Sequence, residues 1–298
     1  MPARMSFMEL ATRIAEEQHA PALLPVIQKE LLHYEILAAM ERHGFLDRLV
    51  FQGGTSLRLC YGSMRLSEDL DFAGGTDFDV GSMATLRHVV ETSVTKRYDV
   101  QATVKEPKLV AIESGLSDAS VQVERWQIQV VTVGGRPDIP HQRIKLEVAL
   151  VPAHTKGFRP LIRNYADLPS SYENILLPVE TPGELLADKL VSLATAKAVR
   201  YRDIWDLRWI SLYPRADFSD VSDLVTRKVS DYRVTGFRAR AESMCEKLPG
   251  IVESDAFLFN MQRFIEPETL NETVAKPVFR MHLADTVREL YRAHVLPA

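Results

Sequence analysis

The stretch FQGGTSLRLCYGSMRLSEDLDF, residues 51–72, decides the reading of this chain. Before it, the apolar run Phe45 to Phe51 reads as a buried strand, and Gly53-Gly54 follows directly. Thr55 to Cys60 then places Leu57 and Cys60 three apart, a helical spacing. A strand that feeds glycines and then a helix N-terminus is a phosphate-cradling order, because glycine admits close approach of the backbone and unpaired helix N–H groups face the anion. In Ser67-Glu68-Asp69-Leu70-Asp71-Phe72, a strand's period of two puts Asp69 and Asp71 on one face and Leu70 and Phe72 on the other. Two carboxylates about 7 Å apart along a strand can jointly hold Mg²⁺.

Taken singly these signals are weak. Asp-x-Asp is most often a solvated strand edge, and Gly-Gly a turn. Their order carries the information: glycine pair, helical turn, acidic strand.

The set Gly53, Gly54, Thr55, Leu57, Tyr61, Gly62, Arg65 and Ser67-Glu68-Asp69-Leu70-Asp71-Phe72 resembles the AbiEii/AbiGii toxin family. That family belongs to the DNA polymerase β-type nucleotidyltransferases and includes the MenT toxins. The resemblance implies an α+β fold: a mixed-sheet nucleotidyltransferase core with flanking helices and a C-terminal helical domain.

Composition is ordinary for a soluble globular protein. The chain has 298 residues, 46% hydrophobic and 26% charged, which is long for one core. The expected division is a core over 1–180 and a helical domain over 181–298. The net charge of -4 excludes a globally basic nucleic-acid binder, so any such contact must be a local patch. Two distant cysteines, Cys60 and Cys245, give neither a disulfide framework nor a cysteine metal site. Met1 to Gln18 carries charges throughout and reads as no leader, and no run is long enough to span a bilayer. A cytoplasmic location is expected. The eight histidines show no metal-ligand spacing.

Along the chain, helices are expected over 5–17 and 22–43, then over 81–94. Strands follow at 98–104 and 121–133, the latter with a bulge between its Val121/Val123 phase and its Trp126/Ile128/Val130 phase. Arg143 to Leu150 alternates, with Ile144, Leu146, Val148 and Leu150 on one face and Arg143, Lys145 and Glu147 on the other. On spacing alone Glu147 reads as part of a solvent face. Polymerase β-type transferases carry a third carboxylate on the strand beside the Asp-x-Asp, and the resemblance implies that Glu147 fills that role. Residues 151–180 read as a turn-rich connection with a short strand at 175–177.

Thr181-Pro182-Gly183-Glu184 predicts a capping box opening a helix to about Val199. Lys189 lies on its apolar stripe with Leu185, Leu186, Leu193 and Ala196, where it either snorkels or is used. The family has a lysine-containing helix here, so Lys189 is implied as a phosphate contact. Arg200-Tyr201-Arg202-Asp203-Ile204-Trp205-Asp206-Leu207 resembles the family's Arg-Asp-x-x-Asp-Leu motif, with Asp203 and Asp206 on one helix face, as site residues or as cap and salt-bridge partners. Further helices are expected at about 219–230, 237–247, 253–264 and 277–294. Arg227, Lys228, Arg233, Arg238 and Arg240 form either a solvated face balanced by Asp231 and Glu242 or a nucleic-acid footprint with Tyr232 and Phe237; the solvated face is the simpler reading.

The resemblance implies Mg²⁺, with Mn²⁺ as an alternative, on Asp69, Asp71 and Glu147. It implies catalytic roles for these three, Lys189 and Asp203. Nucleotide contacts are implied for Gly53, Gly54, Thr55, Arg65, Ser67, Lys189 and Asp206. The implied activity is transfer of a nucleoside monophosphate from an NTP to RNA, in some members a tRNA 3′ end, with a cognate antitoxin, no membrane, and a link to phage defence. Competing readings are a protein nucleotidyltransferase or phosphotransferase acting on a protein hydroxyl, and a non-catalytic nucleotide-binding module.

Overall fold

The computed structural model describes residues 5–107, 121–134, 140–214 and 216–296. They fall into two compact units, one from residues 5–107, 124–134, 140–150 and 157–179, the other from 121–123, 151–156, 180–214 and 216–296.

In the first unit, α1 (Phe7–Glu17) starts at a capping box: Ser6 Oγ accepts from Glu9 N and Glu9 accepts from Ser6 N. A 3₁₀ turn at Pro21–Leu23 leads into α2 (Leu24–Arg42), which is buried over most of its length. The strand expected from Phe45 shrinks to β1 (Val50–Gln52), because Phe45 and Leu46 anchor turns that close α2. Helix α3 (Gly53–Tyr61) begins on the first glycine, and β2 (Leu70–Ala73) follows. The helix expected over 81–94 divides into a 3₁₀ turn, Val80–Met83, capped by Asp79, and α4 (Leu86–Tyr98). Next come β3 (Gln101–Lys105), β4 (Val123–Val131), β5 (Gln142–Ala149), β6 (Gly157–Pro160) and β7 (Leu176–Val179). The bulge expected in β4 is not there. Alternation is regular from Val123, and the inward position that breaks the apolar phase is occupied by a buried glutamate, Glu124.

Among the described residues the strands form one sheet, ordered β3-β4-β5-β2-β1-β7-β6. It is mixed: β2 runs antiparallel to β1 and parallel to β5, while β1 runs parallel to β7. The expected α+β architecture is therefore present. One sheet face is apolar and sealed: Leu70, Phe72, Trp126, Ile128, Ile144, Leu146 and Val148 are buried, with α2 against β5 and α4 against β3. The other face carries the polar positions of the same strands.

The second unit is helical: α5 (Pro182–Thr195), α6 (Tyr201–Ser211), α7 (Val221–Asp231), α8 (Phe237–Glu253), α9 (Asp255–Met261), α10 (Pro267–Glu272) and α11 (Pro277–His294). α5 packs on α6, α7 and α8, and α11 on α8 and α6. Tyr291 donates to the Leu190 carbonyl at 2.8 Å. The break expected at Pro249-Gly250 does not occur. α8 runs through it, losing the one hydrogen bond that proline cannot donate, while Leu248 and Val252 stay buried.

Candidate active site

Gly53 sits at φ +78°, a left-handed conformation open chiefly to glycine, and a Cβ there would lie 2.6 Å from Asp71 Oδ2. A Cβ on Gly54 would lie 2.5 Å from Arg65 Nη2 and 2.9 Å from Ser67 Oγ. Both glycines are thus required by close packing of the α3 N-terminus against the acidic segment. The first N–H groups of α3 have no intrahelical acceptor. Thr55 spends its hydroxyl on the Asp69 carbonyl, which leaves its N–H for any phosphate and ties the helix to the acidic segment. Arg65 is buried and donates to the Leu66 carbonyl at 2.7 Å.

Asp69 lies one residue before β2, yet the alternation expected of a strand holds: Asp69 and Asp71 are half-buried while Leu70 and Phe72 are buried. Register across the sheet sets Gln52 opposite Asp71 and Asp71 opposite Glu147. A row of oxygen donors therefore crosses β1, β2 and β5. Arg125 pairs with Glu147. Asp69 accepts from Lys145 N at 3.1 Å and faces Lys145 Nζ at 3.8 Å. Behind this row, Lys29 holds Glu68 at 2.8 Å, and His33 Nε2 lies 3.0 Å from the Glu68 carbonyl.

The donor set suits a hard cation. It is all oxygen, and the buried Gln52 side-chain oxygen on that row lacks a hydrogen-bond partner among the described residues. Asp69, Asp71 and Glu147 are nonetheless not mutually within 4.8 Å through their oxygens; among the described residues that closeness is met by Glu180, Glu184 and Asp188.

Those three belong to the helical unit, and their cation is already supplied. Lys228, fully buried on α7, sits 3.0, 2.7 and 3.0 Å from Glu180, Glu184 and Asp188. Burial drives the Glu180 carboxyl well above the usual range, and although burial also opposes charge on Lys228, Asp188 and Glu180 hold its ammonium protonated. Glu184 does not complete a capping box with Thr181. It accepts from His154 N at 2.8 Å and from Thr155. This cluster was missed in the sequence, where Lys228 read as one of a surface basic group. Its signal was the spacing of four between Glu180, Glu184 and Asp188. Tyr232 is likewise turned inward, onto Asp188 at 2.9 Å, while Arg227 and Arg238 make exposed ion pairs with Asp223 and Glu242. Lys228 and Tyr232 therefore do not belong to a surface basic group.

Also in the helical unit, Lys189 does not snorkel. It is buried, its Nζ 2.6 Å from Asp203 and 3.1 Å from Asp206. Asp203 also accepts from Ser192 at 2.7 Å and Arg200 at 2.6 Å. Burial raises the Asp203 carboxyl, but Arg200 and Lys189 outweigh it and hold the group well below the usual carboxylate range.

Residues 35–289 match the family described as Nucleotidyl transferase AbiEii toxin, Type IV TA system. Among solved structures, the fold is similar to MenT4, a nucleotidyltransferase toxin from Mycobacterium tuberculosis H37Rv, at 20% identity and TM-score 0.62, over 95% of this chain and 89% of that one. A second structure, JHP933 from Helicobacter pylori, is 16% identical at TM-score 0.46, over 90% of this chain and 92% of that one. No curated protein matches in sequence.

Proposed function

Because this chain belongs to the AbiEii nucleotidyl transferase toxin family, we propose that it transfers a nucleoside monophosphate from an NTP to an RNA hydroxyl, with a tRNA 3′ end as acceptor. The observation that supports this chemistry best is the Gln52–Asp71–Glu147 row lying against the glycine-started N-terminus of α3.

The backbone N–H groups of Gly53, Gly54 and Thr55 receive phosphate oxygens, and Ser67, held close to Gly54, adds a hydroxyl. Arg65 positions this corner from beneath. Lys189 is the proposed phosphate cation, and Asp203 and Asp206 orient its ammonium. A Mg²⁺ or Mn²⁺ ion, when held by Asp69, Asp71 and Glu147, supplies charge neutralisation of the triphosphate. The acceptor hydroxyl oxygen bonds to the α-phosphorus, the bond to the bridging oxygen breaks, and pyrophosphate leaves with that electron pair. Glu147 takes up the hydroxyl proton. Blocking a tRNA 3′ end prevents aminoacylation and halts translation, the outcome expected of a cytoplasmic toxin held in check by a cognate antitoxin and released in phage defence.

The test is α-labelled NTP with Mg²⁺, total RNA and total protein, comparing the native chain with Asp71→Asn. Label entering small RNA, reduced at least about 100-fold in the variant, is the expected result. Label on protein would overturn the RNA acceptor and keep the chemistry. Label on neither would overturn catalysis.

A further inference from the structure

The polar face of the sheet does not end at the carboxylates. It continues outward over β5, β4 and β3, where the side chains at alternate positions are Arg143 and Lys145, then Val123, Arg125, Gln127, Gln129 and Val131, then Gln101, Thr103 and Lys105. Register confirms the shared face, with Lys105 opposite Gln127 and Thr103 opposite Gln129. Lys105, Arg143 and Lys145 are exposed. Among the described residues of these three strands, Glu147 is the one carboxylate on this face, and it lies at the catalytic edge. In a chain of net charge -4, a sheet face of cations and amides is a local exception that overall composition hides.

We infer that this β3–β4–β5 face is the docking platform for the phosphodiester backbone of the acceptor RNA, an inference that rests on the RNA-acceptor reading above. Cations and amide donors match phosphate and ribose oxygens. A protein partner would need an apolar or aromatic anchor at the centre of its interface; among the described residues of these strands the apolar side chains on this face, Val123, Val131 and Ala149, lie at strand ends, and none is aromatic. The same lack of aromatics removes base stacking, so recognition is of the backbone and tolerant of sequence. From β2 to β3 is three strand spacings, about 14 Å, enough for about four phosphates of one strand. An RNA whose 3′ end reaches Asp71 and Glu147 therefore lays its next few phosphates over Arg125, Lys145, Arg143 and Lys105.

The decisive measurement is binding of a fluorescent tRNA pool to the full chain without NTP or metal, across a salt series. It compares the native protein with Lys105→Gln/Arg143→Gln and, as control, with Arg227→Gln/Arg238→Gln on the helical unit. Loss of two phosphate contacts should lower the slope of log affinity against log salt by about 1.4–1.8 and weaken binding at least about tenfold at 0.1 M salt. KM for NTP and thermal unfolding should stay unchanged, and the control should bind like the native protein. If the double variant unfolds, each single variant should show half the change in slope. An unchanged slope in a folded variant that still labels RNA would overturn the platform and leave the RNA-acceptor reading standing. A native protein that neither binds nor labels RNA, yet labels protein, would overturn that reading and the platform with it.

Discussion

His33 shows what one buried side chain does for the acidic segment. It lies in the middle of α2, with no exposure, and supports the backbone at Glu68, one residue before the first aspartate. Burial pushes its imidazole down to about 4, against the Glu68 carbonyl, Glu30 and Asp69, which favour the charged form. An unfolded histidine titrates near ~6.5. Between these values the unfolded chain holds a proton that the native protein does not, so stability falls as pH drops from about 6.5 to about 4, by on the order of 3 kcal/mol in total. Above that window His33 contributes no pH dependence. His33→Gln retains an amide donor for the Glu68 carbonyl and should flatten the profile; urea unfolding between pH 7.5 and 4.5 measures it, and an equally steep fall in the variant would refute the assignment. At this scale the sequence was legible wherever chemistry is contiguous: Gly53-Gly54 and Asp69-Leu70-Asp71 stand close along the chain. It was silent on His33, whose role depends on a carbonyl 35 residues away.

Among the elements, α5 and α7 are joined by a lysine rather than by apolar contact alone. Lys228→Met should cost about 3–5 kcal/mol, because it leaves buried carboxylates without their cation. Glu180→Gln should cost less, since Glu184 and Asp188 still flank the ammonium at 2.7 and 3.0 Å and burial already works against charge on Glu180. Thermal and urea unfolding of the two variants side by side decides the point: equal losses would mean that Glu180 is as indispensable to the cluster as its cation. Amphipathic spacing revealed α5, α6, α7 and α11 to within a few residues, because each buries a stripe at helical period. Strands β6 and β7 were poorly legible. They are four residues each, and their exposure follows neighbours that local sequence does not reveal. Likewise Glu184 read as a cap by local spacing, but the buried ammonium of Lys228 draws it inward.

For the molecule as a whole, each half of the acidic site already carries a protein cation, Arg125 on Glu147 and Lys145 on Asp69. The fold is therefore expected to stand without a metal. Treatment with EDTA should abolish nucleotide transfer while lowering the unfolding midpoint by no more than a few degrees. A chain that unfolds on chelation would show that the carboxylates need an ion to coexist. The sheet's strand order has a further consequence, for synthesis on the ribosome. β1 at residues 50–52 takes its parallel neighbour from residues 176–179, and Asp71 meets Glu147 only across a long excursion of chain. At about 5–20 residues per second, the first aspartates emerge roughly 5–20 seconds before the strand that closes the sheet's centre. A ribosome making this protein carries an incomplete sheet through that interval, and a fragment released before residue 142 lacks β5 and with it Glu147.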